Sequence, residues 1–284
     1  MTVNLLVGNP DRAAVARDIL AADPDVIVLQ EYDPKWHRTL HAKLGTRYPY
    51  EVHETRDDSF GSAIYSRTPF VGPAPEPFTL AQNETPQYRA VVHLAGRDVA
   101  IYDVHLMPPV SRDYVITGRH EFADLRRRVR RERLPMILAG DLNVSASSPQ
   151  HHDLGDAGLI DAWELVRHGR GATWPATRGI NWLPGVRLDH LYLSGELTTT
   201  RVRVGDANGS DHRPVVADVV AARARSMQRV AVAAVDERRA VRAEARVELA
   251  GCGAGATCAA EGEQAEGQGA DDRGKWLHGR SPSR

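Results

Sequence analysis

Met136-Ile137-Leu138-Ala139-Gly140-Asp141-Leu142-Asn143 decides how the rest of the chain is read, because a short apolar run empties directly into Gly-Asp-x-Asn. Four consecutive apolar residues fit a strand covered on both faces. Gly140 is expected to let the backbone turn sharply, so that Asp141 and Asn143 project from the carboxyl end of a sheet. Leu142 separates the two polar residues, which places both on one side of an extended chain. Taken alone, Asp141 and Asn143 also read as ordinary turn formers.

Other apolar runs end in the same manner. Val26-Ile27-Val28 leads to Leu29-Gln30-Glu31, a run from about Val99 leads to His105, and Asn4 lies in a strand at the start. Arg187-Leu188-Asp189-His190 enters Leu191-Tyr192-Leu193, and Ser210-Asp211-His212-Arg213-Pro214 enters Val215-Val216-Ala217. Together these residues resemble the endonuclease/exonuclease/phosphatase superfamily. Its motifs are an Asn on the first strand, a Gln-Glu ending the second, a His on a middle strand, Gly-Asp-x-Asn, Arg-x-Asp and Ser-Asp-His-x-Pro. All of them stand in the family's order between Asn4 and Pro214.

The chain has 284 residues, 42% of them hydrophobic, enough for a substantial core. Thirty-six basic against 37 acidic residues leave a formal charge of −1, which supplies no general attraction to a nucleic-acid backbone. Cys252 and Cys258 both lie in a Gly/Ala-rich tail, so the remainder offers no thiol ligand. The opening apolar stretch, Leu5 to Val7, is far too short for a signal sequence or a membrane span. The chain as written therefore reads as a cytoplasmic monomer without a membrane segment. Asn4 nevertheless stands unusually near Met1 for a first strand of this family, and a start lying upstream would make the protein membrane-anchored or exported.

Periodicity predicts a helix capped by Asp11, with Val15, Ile19 and Leu20 on one face, and a second opened by Pro34. Prolines 69, 73, 75 and 77 predict a loop, and the Ala95-Gly96 turn predicts a hairpin. Tyr114 to Arg133 reads as a helix buried through Val115, Phe122, Leu125 and Val129, with Arg126, Arg127, Arg130 and Arg131 on a solvated face. Leu159 to Trp163 reads as a short buried turn or helix, and Trp174 to Pro184 as a loop. Strand-rich halves with interspersed helices fit an α/β four-layer sandwich of two facing mixed β-sheets flanked by helices, which is also the architecture the resemblance implies. The catalytic domain is expected over 1–220, followed at 221–284 by a low-complexity, disordered tail.

Glu31 and Asp211, with Asn4 alongside, offer hard oxygen ligands of the kind Mg²⁺ or Mn²⁺ prefers. By resemblance, Asp189 orients His212, His105 and Asn143 hold a phosphate oxygen, and Asp141 positions or deprotonates the attacking water. Whether Asp141 or His212 is the base stays open. Leu6 occupies a position where several nucleases of the family carry an acid, which favours one metal over two. His190 reads as structural. The implied reaction is hydrolysis of a phosphodiester or phosphomonoester by direct water attack. A small or lipid-linked substrate is preferred; a nuclease acting on DNA or RNA is the alternative, and a non-catalytic binding protein fits less well because every motif residue is intact. The loop holding Trp174 and Trp182 would stack bases or touch an apolar tail, or else simply fill core.

Overall fold

The computed structural model describes residues 1–166, 169–176 and 184–222. Its elements run in the order β1 (Thr2–Asn4), α1 (Arg12–Ala22), β2 (Val26–Gln30), α2 (Pro34–Leu44), β3 (Tyr50–Glu54), β4 (Ser62–Ser66), β5 (Glu76–Phe78), β6 (Gln87–Leu94), β7 (Arg97–His105) and α3 (Arg112–Arg131). There follow β8 (Met136–Asp141), α4 (Pro149–Asp156), β9 (Leu159–Asp161), α5 (Ala162–Val166), β10 (Asp189–Ser194), β11 (Leu197–Val204) and β12 (Val215–Ala221). The strands form two six-stranded mixed sheets, ordered β11-β12-β1-β2-β4-β3 and β5-β6-β7-β8-β10-β9.

Strand alternation explains why the central runs are apolar at every position. In β2, Val26 and Val28 face the space between the sheets, while Ile27 and Leu29 pack under α1 and α2 with Val15, Ile19, Trp36 and Leu40. In β8, Ile137 and Ala139 face inward, and Met136 and Leu138 pack outward with Phe122, Leu125 and Val129 of α3. The result is the four-layer sandwich anticipated from sequence.

Towards one end, the inward row turns polar. Gln30 Nε2 donates to Asp103 Oδ1 at 2.6 Å and Ser62 Oγ donates to Asp103 Oδ2 at 2.8 Å, joining the sheets across the gap. Burial raises the Asp103 carboxyl to about 7, against the pull of those two donors.

Several local expectations are corrected. Gly140 does not make the turn: it lies within β8, opposite Val104 of β7, and a Cβ there would stand 1.9 Å from the Val104 carbonyl oxygen. At φ 144° it is glycine for close strand packing. The proline-rich loop contains an edge strand, β5, where Pro77 forfeits no central ladder bond. Asp11 stands at the N-cap of α1 without a capping side-chain bond, its own N–H being held by Asn9 Oδ1 at 2.8 Å. Leu159 to Trp163 divides into the end strand β9 and the start of α5, and Val115 is only half-buried. Arg126 of the basic helix face is paired with Asp153 at 3.2 Å. Trp182 and the tail beyond Ala222 lie outside the described residues.

Candidate active site

Register assembles the site. His105 of β7 pairs with Asp141 of β8, which pairs with Asp189 of β10, so three predicted residues form one row across the second sheet. In the first sheet, Asn4 pairs with Gln30, and Glu31 follows directly. The two rows meet: the Asn4 amide nitrogen donates to Asp141 Oδ2 at 3.0 Å and to Glu31 Oε1 at 3.2 Å.

Asp141 is the centre of the arrangement. Its Oδ1 accepts from the Asn143 backbone N–H at 3.0 Å, while Oδ2 lies 3.7 Å from His105 Nε2 and 3.6 Å from His212 Nε2. Asp189 Oδ2 sits 2.7 Å from His212 Nδ1, fixing the ring with Nε2 towards Asp141. Ser210 Oγ donates to the Asn4 carbonyl at 2.9 Å and accepts from His212 N–H at 3.0 Å, tying the approach to β12 to the end of β1. Burial alone would push the His212 imidazolium down; the Asp189, Asp141 and Asp211 carboxylates reverse this and raise it to about 10.

Not every predicted residue points as expected. Asn143 adopts φ 51°, which breaks strand alternation; its amide donates to the Leu106 carbonyl at 2.8 Å rather than running parallel to Asp141. Asn4 Oδ1, expected beside a cation, accepts from Leu6 N–H at 3.1 Å, so the side chain presents its donors to the two carboxylates. Leu6 and Glu31 also have positive φ, at 61° and 57°. Left-handed backbone at non-glycine residues costs about 1 kcal/mol or more each and persists where the surroundings impose it.

Fit to a divalent cation is read from what lacks a partner. Asp211 Oδ1 and Asp189 Oδ1 are buried without a hydrogen bond, as is His105 Nδ1. Such groups cost roughly 1–3 kcal/mol each unless something else engages them. Glu31 keeps acceptor capacity beyond its bond from Val7 N–H at 2.9 Å. The oxygens of Glu31 and Asp211, with no sulfur among them, are of the kind that suits a hard cation.

Sequence reasoning passed over several residues that hold this site. Gln87 clamps His105 through both backbone groups, accepting from its N–H at 2.7 Å and donating to its carbonyl at 3.1 Å. Thr173 Oγ1 accepts from Leu188 N–H at 3.0 Å and Asp189 N–H at 3.2 Å. Phe60 lies 5.3 Å from the His105 ring, and Trp174 Nε1 is 3.4 Å from Asp211 Oδ2 with the residue 38% exposed. Trp174 is the exception, being singled out in the sequence as a large loop aromatic; the others carry no such signal.

A sequence profile of the Endonuclease/Exonuclease/phosphatase family matches residues 1–212, and the chain belongs to that family. Its members hydrolyse phosphoester bonds with a divalent metal. Comparison with curated proteins returns no match. Among solved structures, an endonuclease/exonuclease/phosphatase from Beutenbergia cavernae DSM 12333 is similar at 23% identity and TM-score 0.64, over 78% of this chain and 70% of that one. One from Bacteroides vulgatus gives 18% identity and TM-score 0.64, over 78% and 97%. D. rerio TDP2 complexed with single strand DNA product gives 18% and 0.61, over 77% and 96%. At these identities the likeness concerns the fold.

Proposed function

We propose that the chain is a Mg²⁺- or Mn²⁺-dependent phosphoesterase that cleaves a small or lipid-linked phosphoester by direct attack of water. The observation that carries this reading is the Asp141 carboxylate, set between the His105 and His212 imidazoles and fixed by Asn4 and Asn143. Glu31 and Asp211 would hold the cation, which supplies neutralisation of charge on the phosphoryl oxygens and the leaving group. Asn4 positions Glu31 and Asp141 by donating to both.

Asp141 takes the proton of the attacking water, since its carboxylate faces the imidazole nitrogens that would hold a phosphoryl group. His212, charged beside Asp189, donates from Nε2 to a phosphoryl oxygen and stabilises the negative charge that develops there. His105 adds a second Nε2 contact, its backbone locked by Gln87. Asn143 holds the loop through Leu106. No covalent intermediate is required.

The surroundings favour this substrate class. Arg127, Arg128 and Arg131 of α3 gather with Arg89 near the amino end of β8, about 17 Å of strand from Asp141. Arg89 is tied to Glu132 at 2.8 Å, Arg127 to Asp124, and Arg128 lies over Phe78. They make no grip for a duplex entering the site. Phe60 and Trp174 instead offer aromatic contact beside His105 and Asp211, matching a substrate with an apolar or ring-bearing group. A nucleic-acid substrate is the second reading, favoured by the fold likeness to a TDP2 that holds a single-strand DNA product.

The test is a panel of plasmid DNA, single-stranded DNA, RNA, nucleotides, sugar phosphates, phosphoinositides and prenyl pyrophosphates, assayed with Mg²⁺ at low and physiological salt. A small or lipid-linked ester should be cleaved fastest, with a shallow salt response. Efficient nucleic-acid cleavage that loses roughly three decades in affinity as salt rises would give the second reading first place.

A further inference from the structure

On the outer side of the first sheet, helix α2 and strand β3 bring together side chains that the catalytic arrangement does not use. His37 and His41 are one turn apart on α2, and Glu51 and His53 are two residues apart on β3, so each pair shares a face. The faces converge. The His37 and His53 rings stack with centroids 4.2 Å apart, and His37 lies 5.4 Å from His41. Glu51 Oε1 is 3.1 Å from His41 Nδ1 and 3.8 Å from His53 Nδ1. One ligating atom from each of His37, Glu51 and His53 falls within a 4.8 Å span.

Two features set this cluster apart from histidines that merely pack. Tyr32 Oη lies 3.2 Å from His37 Nδ1 and thereby orients the ring, leaving Nε2 free; an outer partner of this kind holds a metal-binding imidazole in place. Glu51 Oε2 is buried with no partner in good hydrogen-bond geometry; the Tyr65 hydroxyl lies nearby, and the side chain is 19% exposed.

The cluster formed by His151, Asp161 and His190 lacks these features. Both nitrogens of each of those rings already meet protein partners, so nothing is left for an ion.

We propose that His37, Glu51 and His53 form a second metal site, taking a borderline divalent transition ion of the zinc class on two imidazoles and one carboxylate, with His41 at its exposed edge. The chemistry differs from that of the catalytic end. Imidazole-rich sites favour Zn²⁺, Co²⁺ or Ni²⁺ over Mg²⁺, and three protein donors with water in the remaining position suit zinc. An ion here ties α2 to β3 next to Tyr32, the residue that follows Glu31, so its occupancy stabilises the segment carrying that carboxylate.

The experiment uses the full chain in millimolar Mg²⁺, which competes for oxygen ligands and not for imidazoles. Zn²⁺ is titrated against a chromogenic chelator, and Co²⁺ uptake is followed by the visible absorption of a four-coordinate ion. One tightly held equivalent is expected, with a rise in melting temperature on zinc addition. His53→Ala and the volume-conserving Glu51→Gln should each weaken that equivalent about tenfold or more and abolish the cobalt spectrum, while their metal-free melting stays near that of the parent chain. Absence of the equivalent in the parent chain overturns the proposal. So does an equivalent that survives both substitutions, since it must then lie elsewhere, for instance on Cys252 and Cys258.

Discussion

Asp189 and His190 are neighbours on β10, yet they belong to two buried His/Asp clusters on opposite faces of the second sheet. Asp189 faces inward to His212 and Asp141. His190 faces outward to Asp161 at 2.7 Å and the Val144 carbonyl at 2.9 Å, and stacks on Tyr192 with centroids 5.3 Å apart. The outward cluster is closed. His151 meets the Tyr192 hydroxyl and Glu164, each at 2.6 Å, and Asp161 takes Arg187, His190 and the Trp163 N–H; Arg187 Nε alone is left over. The inward cluster is open, with Asp189 Oδ1, Asp211 Oδ1 and His105 Nδ1 all buried and unpaired. The same residue types thus give a packing device where every lone pair is used, and a candidate site where some are withheld.

This contrast can be broken from either side. The largest effect is expected on the closed face: Asp161→Ala leaves the Arg187 guanidinium buried without its counter-charge and should cost about 3–5 kcal/mol in denaturant unfolding. An effect below about 1 kcal/mol would show that the pair is not structural. On the open face, His212→Ala should lower turnover per folded molecule about a hundredfold or more, equivalent to roughly 3 kcal/mol of barrier, and should also cost about 3 kcal/mol of stability because buried Asp189 loses its partner. A folded variant of full activity would remove His212 from the chemistry.

Asp103 tests the passage between core and site through pH. Its folded pKa of about 7 lies above the ordinary carboxyl value, so the protonated form favours folding. The contribution is complete below about pH 4 and is lost as pH rises through about 7. The difference is at most about 4 kcal/mol, and on the order of 2 where the surroundings relax around the charge. Asp103→Asn should therefore gain stability relative to the parent chain between pH 5 and about pH 8. A parallel pH profile for the two chains would mean that Asp103 stays ionised throughout. The smallest effect is assigned to Trp174→Ala, a rise in KM of roughly threefold to tenfold at constant kcat, read with the best substrate of the panel.

The sequence makes the sandwich legible because its signals are local and repeated. Val26 to Leu29 and Met136 to Ala139 are apolar at every position, as only doubly covered strands demand, and each run ends in a polar residue of the site. What escapes is set by register and by loop geometry. Gly140 reads as a turn until the Val104 carbonyl is found against it. Gln87 lies 18 residues before His105, and nothing in its surroundings announces that it will clamp that backbone. The orientation of Asn143 depends on a left-handed φ that periodicity cannot reveal. Asp103 and Gln30 read as strand residues, and their meeting across the sheets appears only when the two layers are stacked.

The most direct measurement pairs two isosteric substitutions, Asp141→Asn in the open cluster and Asp161→Asn in the closed one, each assayed for Mg²⁺-dependent phosphoester hydrolysis and for unfolding free energy. Asp141→Asn should lose about a hundredfold or more in turnover while keeping its stability, and chelation should silence the parent chain until Mg²⁺ is restored. Asp161→Asn should lose a few kcal/mol of stability and keep its turnover per folded molecule. Full turnover in Asp141→Asn, or hydrolysis that survives exhaustive chelation, would contradict the assignment of the open cluster to catalysis.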